Sequence, residues 1–423
     1  SRRVSGAVMV ELRCSLLPLL FLAGMPHSDA LATSALQHQQ SQLLPQRSSS
    51  TSRADVSMLS NGMSALAPVV SKGTGKMACH GLGCPRSVRI LTSSRVLDAP
   101  RLAVATEPVL ADFLATQSAG QAQPVLEALS TACQEIALKV RTASCDSMAC
   151  FNNYGNEQLA VDVLAEAALM EGLRNCGVPL RVSTASDQSE EVLGDGEPEL
   201  AVTINALDGS SVIDSNFAIG TLFSVWREGT LLNNTGRDLL AAGACSYGPR
   251  TSLYLSHDGS DGVQEFLLVG GATNGEEGPG RWIQSNHYSS FTEGKLFAPG
   301  NLRVAARSSK YAKLIKFWQD NEYQLRYSGG MVMDVLQLIV KGRGIFVCPA
   351  APAERPRPHL LYEAVPLAYL IEKSGGRASD GEHALLDVTI HSFDQRTQMA
   401  LGSANEVERF ESTVGPADSA FIY

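Results

Sequence analysis

The stretch LAVTINALDGSSVID, residues 200–214, decides how the chain is read. Its first residues, Leu200 to Ile204, form a short apolar run with β-branched members, which predicts a buried strand. The run leads straight into Asn205, Ala206, Leu207, Asp208, Gly209, Ser210 and Ser211. Asp208 thus stands beside three small residues whose backbone N–H groups can face an anion. A strand end that delivers a carboxylate next to such a nest is what metal-assisted phosphate chemistry requires. Taken alone, LDGSS is a turn and helix-cap signal, so its surroundings must decide.

Working outward, Pro179 to Ser183, Ile219 to Trp226 and Glu265 to Val269 read as further strands. Val109 to Ala115 and Pro124 to Val140 carry helical spacing, the latter with Leu126, Leu129, Cys133, Ile136 and Val140 on one stripe. Glu157 to Leu173 is apolar almost all round, which predicts a buried helix. Asp162 falls within it, and a carboxylate there is costly unless something pairs with it. Gly270 to Gly280 reads as a surface loop. Beyond it come helices at Lys310 to Gln319, Gly330 to Val340 and Tyr362 to Ser374, with a strand at Gly344 to Val347. Strands interleaved with long helices predict a layered α/β fold.

The 423 residues are 44% hydrophobic and 18% charged, which suits a globular chain with room for two core-bearing units. A net charge of −9 argues against a general nucleic-acid binder. The charge is unevenly spread, with eleven Lys or Arg against four acids through Ala103 and 23 against 39 thereafter. Ser1 to Val8 precede the first methionine and read as upstream read-through. From Met9, a charged start, the short apolar run Leu16 to Ala23 and small residues around Ser28 to Ala32 have the layout of a secretory signal. That run is too short for a bilayer-spanning helix, which needs about 20 apolar residues. Leu31 to Arg101 is Ser- and Arg-rich with only Asp55 and Asp98 as acids, a transit-peptide composition. Together they predict a two-part address for a plastid bounded by extra membranes, the alternative being a disordered tail without an address. Cys79, His80 and Cys84 have no second ligand pair nearby and read as unstructured. The eight His show no pair at metal-ligand spacing. Trp226, Trp282 and Trp318 read as packing residues, and Lys310 to Lys316 as a solvated helix face.

Further strings extend the pattern in one order: KVRTASCDSMAC (139–150), GNEQLAVDVLAE (155–166), NFAIGTLFSVW (216–226), TGRDLLAAGACSYGPRT (235–251), GKLFAPGNLR (294–303), LRYSGGMVMDV (325–335), LLYEAVPLAYLIEKSGG (360–376) and ALGSANEVERFE (400–411). With NALDGSSVID (205–214), they make Val104 to Ser412 resemble the fructose-1,6-bisphosphatase class 1 family, in its plastid sedoheptulose-1,7-bisphosphatase branch. The resemblance implies a layered α-β-α-β-α sugar-phosphatase fold with two subdomains. It also implies Mg²⁺-dependent release of the C1 phosphate of a sugar bisphosphate in the Calvin cycle. The expected partition is a targeting segment at 1–103, a metal and phosphate subdomain at 104–287, a sugar-binding subdomain at 288–412 and a tail at 413–423.

Carried over by resemblance, Asp208, the Leu207 carbonyl and Glu363 match metal ligands, and Asp162 matches the carboxylate that helps activate water. Gly209, Ser210 and Ser211 match the segment that holds the departing phosphate. Asn301, Arg326, Tyr327, Gly330 and Met331 match residues lining the sugar and its distal phosphate. Arg357 stands where the family usually has Lys, which keeps the charge but replaces a point donor by a planar fork. Cys145 and Cys150 match a redox disulfide reduced by thioredoxin; spacing alone would favour two buried thiols, and the surrounding string reverses that. Cys133, Cys176, Cys245 and Cys348 read as packed thiols.

Departures concentrate on the metal site. Asn205 and Asn156 stand where the family has Asp, and an amide offers an acceptor without charge. Glu190 and Glu191 match the family's Glu pair by letters, whereas counting back from Asn205 reaches Ala185 and Ser186, leaving Glu190 and Glu191 on a loop. Two or three Mg²⁺ ions need several hard anionic oxygens. A catalytically weakened or inactive paralogue that serves as a sugar-phosphate-binding or regulatory subunit is therefore the alternative to a working enzyme. The remaining expectations are a plastid stromal location, a dimer or tetramer, no nucleic-acid partner and no membrane span.

Overall fold

A computed structural model describes residues 108–117, 119–142, 149–151, 157–227, 230–271 and 280–418, all within one unit, Ser94–Tyr423. The targeting segment, Cys145, Asn156 and most of the Gly270 to Gly280 loop lie outside the described residues. The chain begins with helices α1 (Leu110–Thr116) and α2 (Gln123–Thr142), the hairpin strands β1 (Ala149–Phe151) and β2 (Glu157–Leu159), and helix α3 (Ala160–Arg174). Eight strands make the first large sheet: β3 (Leu180–Thr184), β4 (Glu190–Leu193), β5 (Leu200–Asp208), β6 (Ile219–Trp226), β7 (Leu239–Tyr247), β8 (Thr251–His257), β9 (Val263–Val269) and β10 (Arg281–Tyr288). There follow β11 (Thr292–Pro299), α4 (Ser309–Asp320), β12 (Gln324–Leu325), α5 (Met331–Lys341), β13 (Arg343–Cys348), α6 (Val365–Lys373), β14 (Arg377–Ser379), β15 (Met399–Gly402) and α7 (Ala404–Thr413).

The first sheet runs β10-β9-β8-β7-β6-β5-β3-β4 and the second β12-β11-β13-β15-β14. The period-two alternation of strand side chains sorts each strand between two cores. Leu200, Val202 and Ile204 of β5 join the core beneath α1, α2 and α3, while Ala201 faces the core shared with α5 and α6. On β13, Phe346 and Cys348 face that middle core, whereas Ile345 and Val347 pack with Tyr311 and Trp318 of α4 and Phe410 of α7. The layers therefore run α-β-α-β-α, as the resemblance implies. All eight residues of β6 are buried because both faces of the sheet are covered. Cys133, Cys245 and Cys348 are buried free thiols and Cys176 is half-buried. Trp226, Trp282 and Trp318 are core residues.

Four expectations are corrected. Glu157–Leu159 pairs antiparallel with Ala149–Phe151, so the helix starts at Ala160, strand pairing having overridden the helical spacing. That helix is not apolar against protein on every side: Val163 and Leu164 are 44% and 47% exposed. Glu190 and Glu191 lie on a strand rather than a loop, where Glu190 pairs with Arg181 and Glu191 with Arg174. The predicted strand at Leu200 is also longer than its apolar run, since β5 continues through the motif to Asp208.

Candidate active site

The end of β5 is irregular, and the irregularity aims Asp208. Pairing with β6 is regular through Asn205↔Leu222 and resumes at Asp208↔Gly220, so a bulge spans Ala206 and Leu207. The Thr221 hydroxyl holds the bulge by donating to the Ala206 carbonyl at 2.7 Å. Gly209 then takes φ 81, the left-handed conformation that glycine adopts without strain. A Cβ at Gly209 would lie 3.1 Å from the Gly330 Cα, so two glycines meet where the strand end approaches the start of α5. There the Val332 N–H donates to Asp208 Oδ2 at 2.8 Å. Ser210–Val212 form a short 3₁₀ turn directly after Gly209.

Glu363 arrives from the other side, on a π-helical turn at Leu360–Ala364 that leads into α6. Such wide turns often mark functional positions, since they push one side chain out of helical register. The His359 N–H donates to Glu363 Oε2 at 2.7 Å, and the Asn205 amide nitrogen lies 3.3 Å from Oε1. Asp208 and Glu363 line one cavity of about 200 Å³ together with Asn301, Tyr327, Met331 and Arg357. Burial pushes the Asp208 carboxyl up to about 6, with the charge of Asp334 adding to the rise and the Val332 N–H opposing it. Burial, then the charge of Asp208, pushes Glu363 up to about 7 against the opposing His359 N–H. Two buried carboxylates, one made costlier to ionise by the charge of the other, form a site that a cation relieves.

Asn301, in the left-handed region at φ 51, starts the 3₁₀ turn Leu302–Ala306 and faces the cavity. Gly330 caps α5, and Met331 opens it. Arg326 is exposed and does not line the cavity, although its N–H donates to the Phe297 carbonyl at 2.9 Å. Asp162 is half-buried in the first turn of α3.

Ala185 and Ser186, which counting back from Asn205 reaches, follow directly on β3, and the Ala185 N–H bonds the Ile204 carbonyl at 2.8 Å. Glu190 lies opposite Ser183, itself opposite Thr203. That places Glu190 two strands away and five residues back from Asp208, roughly 10 Å across and 16 Å along. Sequence reasoning missed Glu166, one turn beyond Asp162, whose carboxylate accepts from Thr184 Oγ1 at 2.9 Å and from the Ser186 hydroxyl. It also missed His359, whose ring is held neutral because burial, with Arg396 nearby, lowers its pKa to about 3. The i, i+4 spacing of Asp162 and Glu166 was a signal that could have found the first; nothing local marked the second.

The donor set fits a hard divalent cation: two carboxylates and an amide converge, with the Leu207 carbonyl next to Asp208 on the bulge. Among the described residues no group of three or more His, Cys, Asp or Glu converges on one point.

Known proteins resemble this chain in sequence and in fold. The sequence profile of the fructose-1,6-bisphosphatase N-terminal domain matches residues 107–275, and that of the C-terminal domain matches 291–415. The chloroplastic sedoheptulose-1,7-bisphosphatase of Spinacia oleracea is 40% identical over 337 residues, covering 78% of this chain and 85% of the relative. The class 1 fructose-1,6-bisphosphatase of Geobacter metallireducens is 35% identical over 282 residues, covering 63% and 82%. Among solved structures, a Toxoplasma gondii protein provisionally named a sedoheptulose-1,7-bisphosphatase superposes with a TM-score of 0.65 at 33% identity, over 72% of this chain and 98% of that one. With both domain profiles matched in order around the Asp208 and Glu363 cavity, the chain belongs to the fructose-1,6-bisphosphatase family, whose members are phosphatases of sugar bisphosphates.

Proposed function

We propose that this chain is a Mg²⁺-dependent phosphatase that removes the C1 phosphate of sedoheptulose-1,7-bisphosphate in preference to fructose-1,6-bisphosphate. The observation that carries the reading is the meeting of Asp208 and Glu363 in a cavity that Asn301, Tyr327 and Arg357 also line. Asp208, Glu363 and the Leu207 carbonyl hold the cation, with Asn205 offering an uncharged oxygen after rotation of its amide. When bound, the cation supplies positive charge against the phosphoryl oxygens. Asp162 accepts a proton from the attacking water, whose oxygen replaces the sugar oxygen on phosphorus; the departing C1 oxygen takes up a proton from solvent, so the sugar leaves as an alcohol with inorganic phosphate as the other product, and Asp162 then returns its proton to solvent. The turn at Gly209, Ser210 and Ser211 receives that phosphate, while Arg357, Asn301 and Tyr327 orient the distal end.

The reading extends to the plastid stroma and a reductive pentose phosphate cycle step, supported by the chloroplastic names of the plant and algal relatives. A thioredoxin-reducible Cys145–Cys150 pair belongs to the same proposal, with support from the KVRTASCDSMAC string alone; Cys150 lies on β1. Arg326, outside the cavity, suits a role across a subunit boundary in a dimer or tetramer. Phosphate release measured on both bisphosphates tests the proposal, which predicts a higher kcat/KM for the seven-carbon sugar. A higher value for the six-carbon sugar contradicts the preference.

The carboxyl pair also makes a pH prediction. Unfolded, Asp208 and Glu363 titrate near their usual values of about 4. Folded without metal, they hold protons up to about 6 and about 7. The folded state thus binds more protons between these limits, so the pair costs nothing below about pH 4 and destabilises the metal-free protein as pH rises toward 7. Mg²⁺ binds the deprotonated pair and offsets this. Melting in chelator and in Mg²⁺ should show a larger Mg²⁺-induced rise in Tm at pH 7.5 than at pH 5. An equal rise at both pH values would contradict the assignment of the pair.

A further inference from the structure

A second cavity of about 190 Å³ adjoins the first and shares Asn301 and Arg357 with it. Its other walls carry Arg303, Arg307, Glu354 and Arg355. Arg307 is neutralised by Glu354, with Nη2 to Oε2 at 3.2 Å, and Arg355 by Asp394 at 2.5 Å. Arg303 and Arg357 have no carboxylate within ion-pair distance among the described residues. Two uncompensated guanidinium groups therefore face a concave space beyond the sugar cavity. Each offers a planar fork of donors suited to a phosphate dianion.

The walls are also held in place before any ligand arrives. Asn301, at φ 51, sets the turn that carries Arg303. Arg357 lies between Pro356 and Pro358, whose rings fix φ, and the Arg396 side chain donates to the Arg357 carbonyl. The Thr397 N–H bonds the Pro358 carbonyl at 3.0 Å, and Arg355 Nη2 bonds the Asp394 carbonyl at 2.6 Å. A seat that is ordered in advance loses less entropy on binding.

We propose that this second cavity seats the terminal phosphate of a ketose bisphosphate one carbon longer than fructose-1,6-bisphosphate, and that Arg303 selects for that length. The inference rests on the reading of the Asp208 and Glu363 cavity as the reacting end. With that end fixed, the terminal phosphate of a six-carbon sugar stops at Asn301, Tyr327 and Arg357. One further carbon carries it past Arg357 toward Arg303.

The test uses the full chain with Arg303→Gln and Arg303→Lys. Steady-state kinetics on both bisphosphates are paired with calorimetric binding of sedoheptulose 7-phosphate and fructose 6-phosphate. Arg303 is exposed, so both variants should fold, which a melting curve checks. Loss of one charge-assisted contact predicts sedoheptulose 7-phosphate binding weaker by about 10- to 100-fold in Arg303→Gln, and a KM for its bisphosphate raised by the same factor. The change for the six-carbon sugars should be several-fold smaller, and Arg303→Lys should recover part of the loss. Equal weakening of both sugars, or of neither, overturns the proposal. Absence of turnover by the unsubstituted protein would overturn the proposed function instead, while the binding measurements would still decide the role of Arg303.

Discussion

Asp208→Asn should reduce phosphate release by about a hundredfold or more, the usual scale for removing one electrostatic group from a preorganised site. The substituted amide keeps the shape of the side chain, and its oxygen can still accept from the Val332 N–H that bonds Oδ2 at 2.8 Å. What it removes is charge. Burial raises the Asp208 carboxyl to about 6, and the Asp208 charge in turn raises Glu363. Neutralising Asp208 therefore brings Glu363 down toward the ordinary carboxylate range. The metal-free variant should melt at a temperature no lower than the unsubstituted protein at pH 7.5, while its Mg²⁺-induced rise in Tm shrinks. A variant that loses activity and stability together would show that Asp208 acts mainly as a structural partner of α5.

Gly209→Val has the largest expected structural effect. Its φ of 81 lies in the left-handed region, and an added Cβ would lie 3.1 Å from the Gly330 Cα. The left-handed strain of about 1–2 kcal/mol and the overpacking of about 1–3 kcal/mol point to a loss of roughly 2–5 kcal/mol. Because that contact joins the end of β5 to the start of α5, relief by movement would displace Asp208 from the Val332 N–H. Chemical denaturation should show a lower midpoint, and activity should fall even in the fraction that remains folded. Normal activity in a stable Gly209→Val protein would mean that the strand end and the α5 terminus are not held together by this approach.

The layered fold was legible wherever both faces of an element are covered or one stripe is apolar. Ile219–Trp226 was found with its limits because all of its residues are buried, and Gln123–Thr142 from its stripe. β7 and β8 were missed because Leu239–Tyr247 and Thr251–His257 are rich in Gly, Ala, Ser and Thr, which carry little apolar contrast although nearly all are buried. The extent of β5 was underestimated because the bulge at Ala206 and Leu207 breaks the periodicity where it aims Asp208.

At the site, the residues on the strings Asn205 to Ser211 and Leu360 to Glu363 could be named from sequence, but their meeting could not. Glu363 is separated from Asn205 by 158 positions, and only the packing of α6 against the sheet brings the two within 3.3 Å. Glu190 and Glu191 illustrate the converse, since the letters match a metal pair while Glu190 pairs with Arg181 of the neighbouring strand and Glu191 with Arg174 at the end of α3. Arg303 gave no signal as a lone exposed Arg, because its significance lies in the cavity that it completes with Arg357.

The proposal that Asp208, Glu363 and Asp162 support Mg²⁺-dependent catalysis although Asn205 is an amide is the one on which the others rest. It is tested most directly by phosphate release from sedoheptulose-1,7-bisphosphate with Mg²⁺ titrated, for the unsubstituted protein beside Asn205→Asp and the Asn156→Asp, Asn205→Asp double variant. Mg²⁺-dependent release by the unsubstituted protein is expected, with the added carboxylates lowering the Mg²⁺ concentration required. No release by the unsubstituted protein, with activity appearing only in the variants, would contradict it.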